Sequence, residues 1–350
     1  MKWHWKTTVV VASLSAVGLT TTILTATPSA ALAAQKSPAA QSGPKPVFLG
    51  TYPGIDPYQA VLKVGAAAAA KALGVTLVWR TPETFDTAQQ LTITEDGLSI
   101  PNLKGMSVVA ADPSSLEGVV REALAKGLGV SQLAGCSPKS AAPVCYDSEP
   151  SALGATAAMH MGRLMHGSGD VVVASGVPGN ANDLGYVQGA AAYFHAHYPN
   201  IHIVQTLYNC DQADNTVNCA EAAVTAHPDL KGYLGAGNET TIGAETVFPQ
   251  AGIHPVVGTE QDDPVTVQGI KKGSITFTQV QPPYCQGYLM VLIPYEEVYD
   301  HLSPVVKYFN TGAIYVDASN INTYKSQVVP DCQALVKYVN STVMKPKKTS

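Results

Sequence analysis

The sequence predicts an α/β protein in which parallel sheets are covered by helices on both faces and the chain is divided between two lobes. Three observations carry this. From Asp170 to Gln281, short apolar strands alternate with stretches of helical period, the pattern of a parallel sheet with helical crossovers. Each of those strands runs into a polar turn bearing Gly or Asn, and in such sheets ligands bind beyond the carboxyl ends of the strands. Once a leader-like N-terminus is set aside, roughly 315 residues remain, more than one hydrophobic core usually serves.

In the first lobe, Pro46–Tyr52 is a strand that leads into a polar turn over Tyr52–Asp56. Pro57 opens a helix at the first helical position, which it favours. That helix runs through the Ala-rich Ala60–Leu73, stops at Gly74 and gives way to a strand at Val75–Trp79. Phe85–Leu103 carries mixed signals. Ala88–Leu91 starts as a helix would, Thr92–Thr94 is β-prone and Glu95–Gly97 is turn-like; a helix is expected. Gly105–Ala110 is the third strand, Leu116–Lys126 a helix, and Gly129–Leu133 the fourth strand, followed by a loop from Cys136 to Cys145.

The second lobe starts near Ser151 with a helix over Ala152–His166. Strands follow at Asp170–Ser175, His202–Leu207, Leu230–Gly235, Pro255–Gly258 and Ile275–Gln279. Between them lie helices at Tyr186–His197, Cys219–Ala226, Thr241–Pro249 and Pro264–Lys272. The chain then returns to the first lobe with Tyr284–Leu302. The expected division is 46–149 plus about 281–310 for the first lobe and 150–280 plus about 311–336 for the second. The polar tail 337–350 is expected to fray.

Residues 1–34 read as a signal peptide. Lys2 and Lys6 precede the apolar Thr7–Ala26, and Ala31-Leu32-Ala33 fits a small-x-small cleavage site. The apolar run is also long enough to span a bilayer, so an uncleaved anchor is the alternative. No Cys lies near the cleavage site to carry a lipid. The expected location is therefore the periplasm or the outside of the cell. Residues 35–45 have the Ala/Ser/Pro/Gln/Lys composition of a flexible linker.

A net charge of −5 with 13% charged residues gives no basic stripe, which excludes nucleic acid as a partner. It also predicts a cleft only weakly steered for ions. Six Cys in an exported chain are expected to form disulfides. Sequence proximity suggests Cys136 with Cys145 and Cys210 with Cys219, which leaves Cys285 with Cys332. No Gly-x-Ser-x-Gly elbow, His-Glu-x-x-His or phosphate loop is present. Asp262 and Asp263 have no nucleophile–base constellation around them. His195 and His197, two apart on a helix, do not share a face. No enzyme, cofactor or metal site is expected.

Several segments resemble the type I periplasmic solute-binding proteins of the ribose- and galactose-binding kind, whose core the lac-repressor family shares. They are Ala110–Val130 (third strand, helix, fourth strand), Thr225–Glu239 with its His-Pro-Asp, Gly243–Gly252, Val256–Glu260 and Gly269–Val280. The resemblance covers roughly residues 46 to 310. A leader stands where a repressor would carry its DNA-binding motif. It implies two Rossmann-like lobes joined by three crossovers and a hinge, closing over a small molecule. It implies a monomer that delivers its ligand to an ABC permease, or alternatively a sensing subunit that presents its closed form to a membrane receptor; an exported enzyme on the same fold is the third alternative.

Site residues follow from the same resemblance. Tyr58 matches the family's stacking aromatic, with Tyr52 and Asp56 in the same loop. Asn238 matches a ligand Asn of the second lobe, Glu260 stands where the family has an Asp, and Gln279 matches the crossover Gln. Asn180 and Asn182, with Asp183, either meet ligand or cap the helix that follows. Asn238 and Glu239 could likewise cap a helix, and Glu260 could be a turn or hinge residue. Two features of the family are missing. Leu133–Cys136 replaces its Asp–Arg pair, and Asn180–Gly185 holds no Arg. A less hydroxylated or more apolar ligand is therefore expected, with Tyr186 and Tyr208 as further aromatic contacts.

Overall fold

The computed structural model describes residues 44–347 except Pro113, Pro138, Ala213, Asp214 and Asn238. The leader, most of the linker and the last three residues lie outside it. The first lobe begins with β1 (Val47–Thr51), α1 (Pro57–Leu73), β2 (Thr76–Arg80) and α2 (Thr87–Gly97). It continues with β3 (Leu103–Val109), α3 (Glu117–Ala125), β4 (Gly129–Leu133) and β5 (Cys145–Asp147). The second lobe takes α4 (Pro150–Leu164), β6 (Ser168–Ser175), α5 (Ala181–His197), β7 (Asn200–Leu207), α6 (Thr216–Ala226), β8 (Gly232–Ala236), α7 (Ala244–Gln250), β9 (Val256–Glu260), α8 (Pro264–Lys272) and β10 (Phe277–Val280). Then come α9 (Pro283–Tyr299), β11 (Leu302–Pro304), β12 (Tyr308–Asn310), β13 (Ile314–Asp317), α10 (Lys325–Tyr338), a π-helical turn (Val339–Val343) and β14 (Met344–Pro346).

The two lobes repeat one topology. The first sheet runs β2-β1-β3-β4-β5-β12 and the second β7-β6-β8-β9-β10-β13. All pairings in them are parallel except that of β13, which runs antiparallel to β10. Alternating side chains of one strand feed the two faces of its sheet, as a period of two requires. In β6, Val171 and Val173 face the core under α4 and α5, whereas Val172 and Ala174 face the core under α6 to α8. In the first lobe, α1 and α9 cover one face and α2 and α3 the other.

Close helix crossings fix both lobes. Helices α1 and α9 meet through Gly65 and Gly287. A methyl group on Gly65 would come within 1.9 Å of the Tyr284 carbonyl oxygen, and one on Gly287 within 2.0 Å of that of Leu62. Helices α4 and α5 repeat the device: a methyl on Gly154 would lie 1.9 Å from the Tyr186 carbonyl oxygen, and one on Gly189 2.0 Å from that of Ser151. Helix α1 starts where Asp56 accepts the Gln59 backbone N–H at 2.6 Å and ends where Gly74 turns left-handed at φ 70°. Between Phe85 and Leu103 the helix forms as α2, its β-prone Thr94 buried and its Asp86 cap accepting from Gln89 N.

The chain passes between the sheets at three places: from β5 to α4, from β10 to α9, and from β12 to β13. The C-terminal segment differs from the sequence expectation. Residues 311–336, expected in the second lobe, straddle both. Ile321 and Tyr324 pack in the second lobe's core, while Cys332 and Val336 pack in the first. The tail beyond 337 does not fray before Lys347. Val339, Val343 and Met344 are buried in the first lobe, and β14 pairs antiparallel with β11. Buried residues at that spacing decide the outcome, not the polar average of the segment. The cysteines pair as Cys136–Cys145, Cys210–Cys219 and Cys285–Cys332, the last joining α9 to α10.

Candidate functional site

A cavity of about 430 Å³ lies between the lobes, lined by residues that follow the carboxyl ends of strands in both sheets. From the first lobe come Tyr52, Asp56 and Tyr58 after β1, Phe85 after β2, Ala134 after β4 and Asp147 at the end of β5. From the second come Asn180, Asn182 and Asp183 after β6, Asp211 and Gln212 after β7, Glu239 after β8, and Glu260 and Gln261 at the end of β9. Gln281 enters from the crossover after β10.

The backbone at these strand ends is held in an uncommon conformation. Ala134, Asn209, Glu239 and Gln261 have φ of 61°, 58°, 62° and 69°. The left-handed region costs a non-glycine residue about 1–2 kcal/mol. Four such residues behind four strands place the loop side chains at the rim of the cavity.

Of the residues singled out from sequence, Tyr52, Asp56, Tyr58, Asn180, Asn182 and Glu260 line the cavity. Asn238 lies outside the described residues, between Gly237 and Glu239, which both line it. Gln279 is 2% exposed and off the lining, its Oε1 without a partner among the described residues. Gln281, past the strand end, takes the place expected for it, because β10 stops at Val280. Tyr186 is buried in the second lobe's core and Tyr208 is exposed away from the cavity.

Asn180 does cap α5, accepting from Asn182 N at 3.0 Å, while still facing the cavity. Asp56 has two roles as well. It caps α1, and its Oδ2 accepts the Tyr52 hydroxyl at 2.7 Å.

Sequence reasoning missed Asp147, Asp211, Gln212, Gln261 and Gln281. For Asp147 no local signal exists: Val144, Cys145 and Tyr146 are all buried, so the short run before it shows no polar alternation. Asp211 and Gln212 sit inside the loop that Cys210–Cys219 closes.

The electrostatics overturn the expectation of a weakly steered cleft. Six carboxylates line it (Asp56, Asp147, Asp183, Asp211, Glu239 and Glu260) and, among the described residues, no Lys, Arg or His does. Burial pushes the Asp147 and Glu260 carboxyls up to about 8 and that of Asp183 up to about 7. Neighbouring negative charge adds to this, Asp183 and Asp147 acting on Glu260, and Asp211 on Asp183. Low charge overall did not predict this, because the few acidic residues are concentrated at strand ends.

Behind Tyr58 lies a hinge network. The Tyr58 hydroxyl donates to Gln286 Oε1. Gln286 is fully buried at the start of α9, and its Nε2 donates to Thr311 Oγ1 at 2.9 Å and Ser148 Oγ at 3.3 Å. Ser148 also donates to the Gly312 carbonyl at 2.6 Å. One side chain therefore ties Tyr58 to residues at two crossovers while itself standing just past the third. Gln286→Ala is expected to lower stability by about 1–3 kcal/mol, since it leaves a buried hydroxyl unpaired. Chemical denaturation against Gln286→Glu, which keeps the acceptor, checks this.

A family model described as the periplasmic binding protein domain matches residues 47–297. The xylose/arabinose-binding protein XylF of Sulfolobus acidocaldarius is 25% identical over 268 residues, 70% of this chain; the chain spans 64% of that relative's length. Among solved structures, an ABC transporter solute-binding protein from Burkholderia graminis in complex with D-arabinose is 27% identical with a TM-score of 0.76, covering 81% of this chain and 99% of that one. GanP, a glucose-galactose binding protein from Geobacillus stearothermophilus, has the same fold at 22% identity and a TM-score of 0.74, covering 80% of this chain and all of its own. Among the described residues, no helix is long and apolar enough to cross a membrane, and no group of three or more His, Cys, Asp or Glu could hold a metal ion. The matched stretch runs through both lobes and every cavity-lining residue, and the chain belongs to the periplasmic binding protein family.

Proposed function

We propose that this protein is the extracytoplasmic solute-binding component of an ABC importer and captures one small hydroxylated molecule between its lobes. The observation that carries the reading is the placement of the cavity. It lies where the carboxyl ends of two parallel sheets face each other across three chain crossovers, the position in which open α/β sheets bind ligands. Its volume falls within the ~300–1,000 Å³ of small-molecule sites. Tyr52, Tyr58 and Phe85 offer ring faces, and the carboxylates and amides offer hydrogen bonds. The D-arabinose complex of the Burkholderia relative and the name of the Sulfolobus relative support a sugar-like solute. The protein acts as an exported monomer, and its partner is a permease that reads the closed form.

Closure must be favoured by ligand contacts made to both lobes at once. Tyr58→Ala is expected to weaken solute binding by about 1–2 kcal/mol through the lost ring face, while Tyr58→Phe keeps most of the affinity; titration calorimetry of the two variants checks this. The reading itself is tested by a thermal-shift panel of pentoses, hexoses, polyols and their amino derivatives. A true ligand at a hundred times its dissociation constant stabilises by about 2.7 kcal/mol, which moves the midpoint by several degrees. A panel in which no compound shifts the midpoint contradicts the reading.

A further inference from the structure

We propose that the cleft selects a cationic hydroxylated solute, a sugar or polyol that bears a protonated amine, over its neutral counterparts. This deepens the reading of the cleft as a solute site and rests on it. The first ground is uncompensated acidity: six carboxyl groups share one cavity with, among the described residues, no basic side chain, and a bound cation would draw into the ionised form those that burial keeps protonated. Both lobes contribute. Asp56 and Asp147 come from the first, and Asp183, Asp211, Glu239 and Glu260 from the second. Closing the lobes expels water and brings these carboxyls together in a lower dielectric, where those that are ionised repel strongly. The repulsion already acts across the gap, with Asp147 on Glu260 and Asp56 on Glu239. A neutral ligand leaves that opposition to closure in place, whereas a cation between the lobes reverses it.

The second ground is unfilled acceptor capacity. Asp147 and Glu260 are 3% and 7% exposed and both face the cavity. Their carboxylates have the backbone N–H groups of Ser148 and Gly237 as partners, and among the described residues no side chain is seen to donate to either. A carboxylate has about four acceptor positions, so most of that capacity has no partner among the described residues. Asp211 also lines the cavity, and its buried Oδ1 has no partner among the described residues.

The third ground is shape. Since among the described residues no three acidic groups converge on a metal-sized point, the acidity is spread over a cavity sized for an organic molecule. Tyr52, Tyr58 and Phe85 on the first-lobe wall suit an organic ammonium, which aromatic faces attract.

The test is titration calorimetry of the purified full chain with matched triples: an amino sugar or aminopolyol, its N-acetyl derivative and its parent neutral compound. Hexosamines and 1-amino-1-deoxy polyols serve as the probes. The expected result is that at least one amine binds about tenfold or more tighter than both of its partners, with an affinity that falls as salt is raised. Equal or tighter binding of the neutral parent overturns this inference and leaves the solute-binding reading standing. Binding of amines with no salt dependence, equalled by the N-acetyl forms, also overturns it. No binding by any member of the triples overturns both.

Discussion

Replacing Glu260 by Gln is expected to raise the melting temperature of the ligand-free protein at pH 8 by several degrees while weakening solute capture. Glu260 is a carboxyl that burial and the Asp183 and Asp147 charges push from an ordinary 4.5 up to about 8. Between those two values the folded protein holds a proton that the unfolded chain has released. Stability from this group is therefore fully present below about pH 4.5 and is lost as pH rises through 8. Asp147, raised to about 8, and Asp183, raised to about 7, act in the same direction. The ligand-free protein should accordingly melt higher at pH 5 than at pH 8. Gln at position 260 keeps the shape, removes the ionisation penalty of a few kcal/mol and flattens the pH profile. Thermal melts of both proteins from pH 5 to 8 decide it; a wild-type midpoint that climbs toward pH 8 contradicts the assignment. A side chain kept against stability belongs to function, as strained or uncompensated groups at binding sites commonly do.

Gly287→Ala is expected to destabilise by about 3 kcal/mol and Gly287→Val to abolish soluble protein. The Cβ would meet backbone, the Leu62 carbonyl at 2.0 Å, and backbone cannot swing aside as a long side chain can. Relief requires α1 and α9 to separate, which opens the core cluster that both helices cover. Overpacking typically costs about 1–3 kcal/mol, and here both helices would have to yield. Gly118→Ala is the control, because its added methyl meets nothing within 4 Å. Denaturant unfolding should place Gly118→Ala near wild type and Gly287→Ala far below; equal midpoints would show that the crossing is soft.

The parallel βα rhythm was legible because each strand is a short apolar run and each helix a longer one with its own stop signal, as at Gly74 and Gly273. Pro57 and Pro264 marked helix starts to the residue. Beyond the Cys285–Cys332 link, the C-terminal segment was not legible, since α10 and β14 are held by long-range contacts of Val336 and Met344 that no local pattern announces. In the cleft, Tyr58, Asn180 and Glu260 could be found because they sit in loops directly after recognisable strands. Asp147 could not, because β5 is a three-residue strand stabilised by neighbours on both sides, β4 and β12. Gln286 was invisible for another reason. It lies in a helix, and its partners Tyr58, Ser148 and Thr311 come from three distant segments.

The acidity of the cleft is a property of topology rather than composition. Asp56, Asp147, Asp183 and Glu260 are spread over some two hundred residues of sequence, and only the doubled strand order brings them to one cavity. Disulfides hold two of the loops involved. Cys210–Cys219 closes the loop that presents Asp211, and Cys136–Cys145 spans the loop between β4 and β5. Replacing Cys210 and Cys219 together by Ser is expected to cost about 2–3 kcal/mol in the chain-entropy description and to weaken binding further by loosening Asp211. Parallel melts and titrations of that variant separate the two effects.

The most direct measurement of the central claim is titration calorimetry of the full chain with the solute that stabilises it most, run on wild type and on Asp147→Ala. The account predicts one site per chain with micromolar or tighter affinity, about −8 kcal/mol, and a loss of tenfold or more in the variant, because Asp147 faces the cavity from the end of β5. Saturable binding that Asp147→Ala leaves unchanged would place the solute elsewhere and contradict the account.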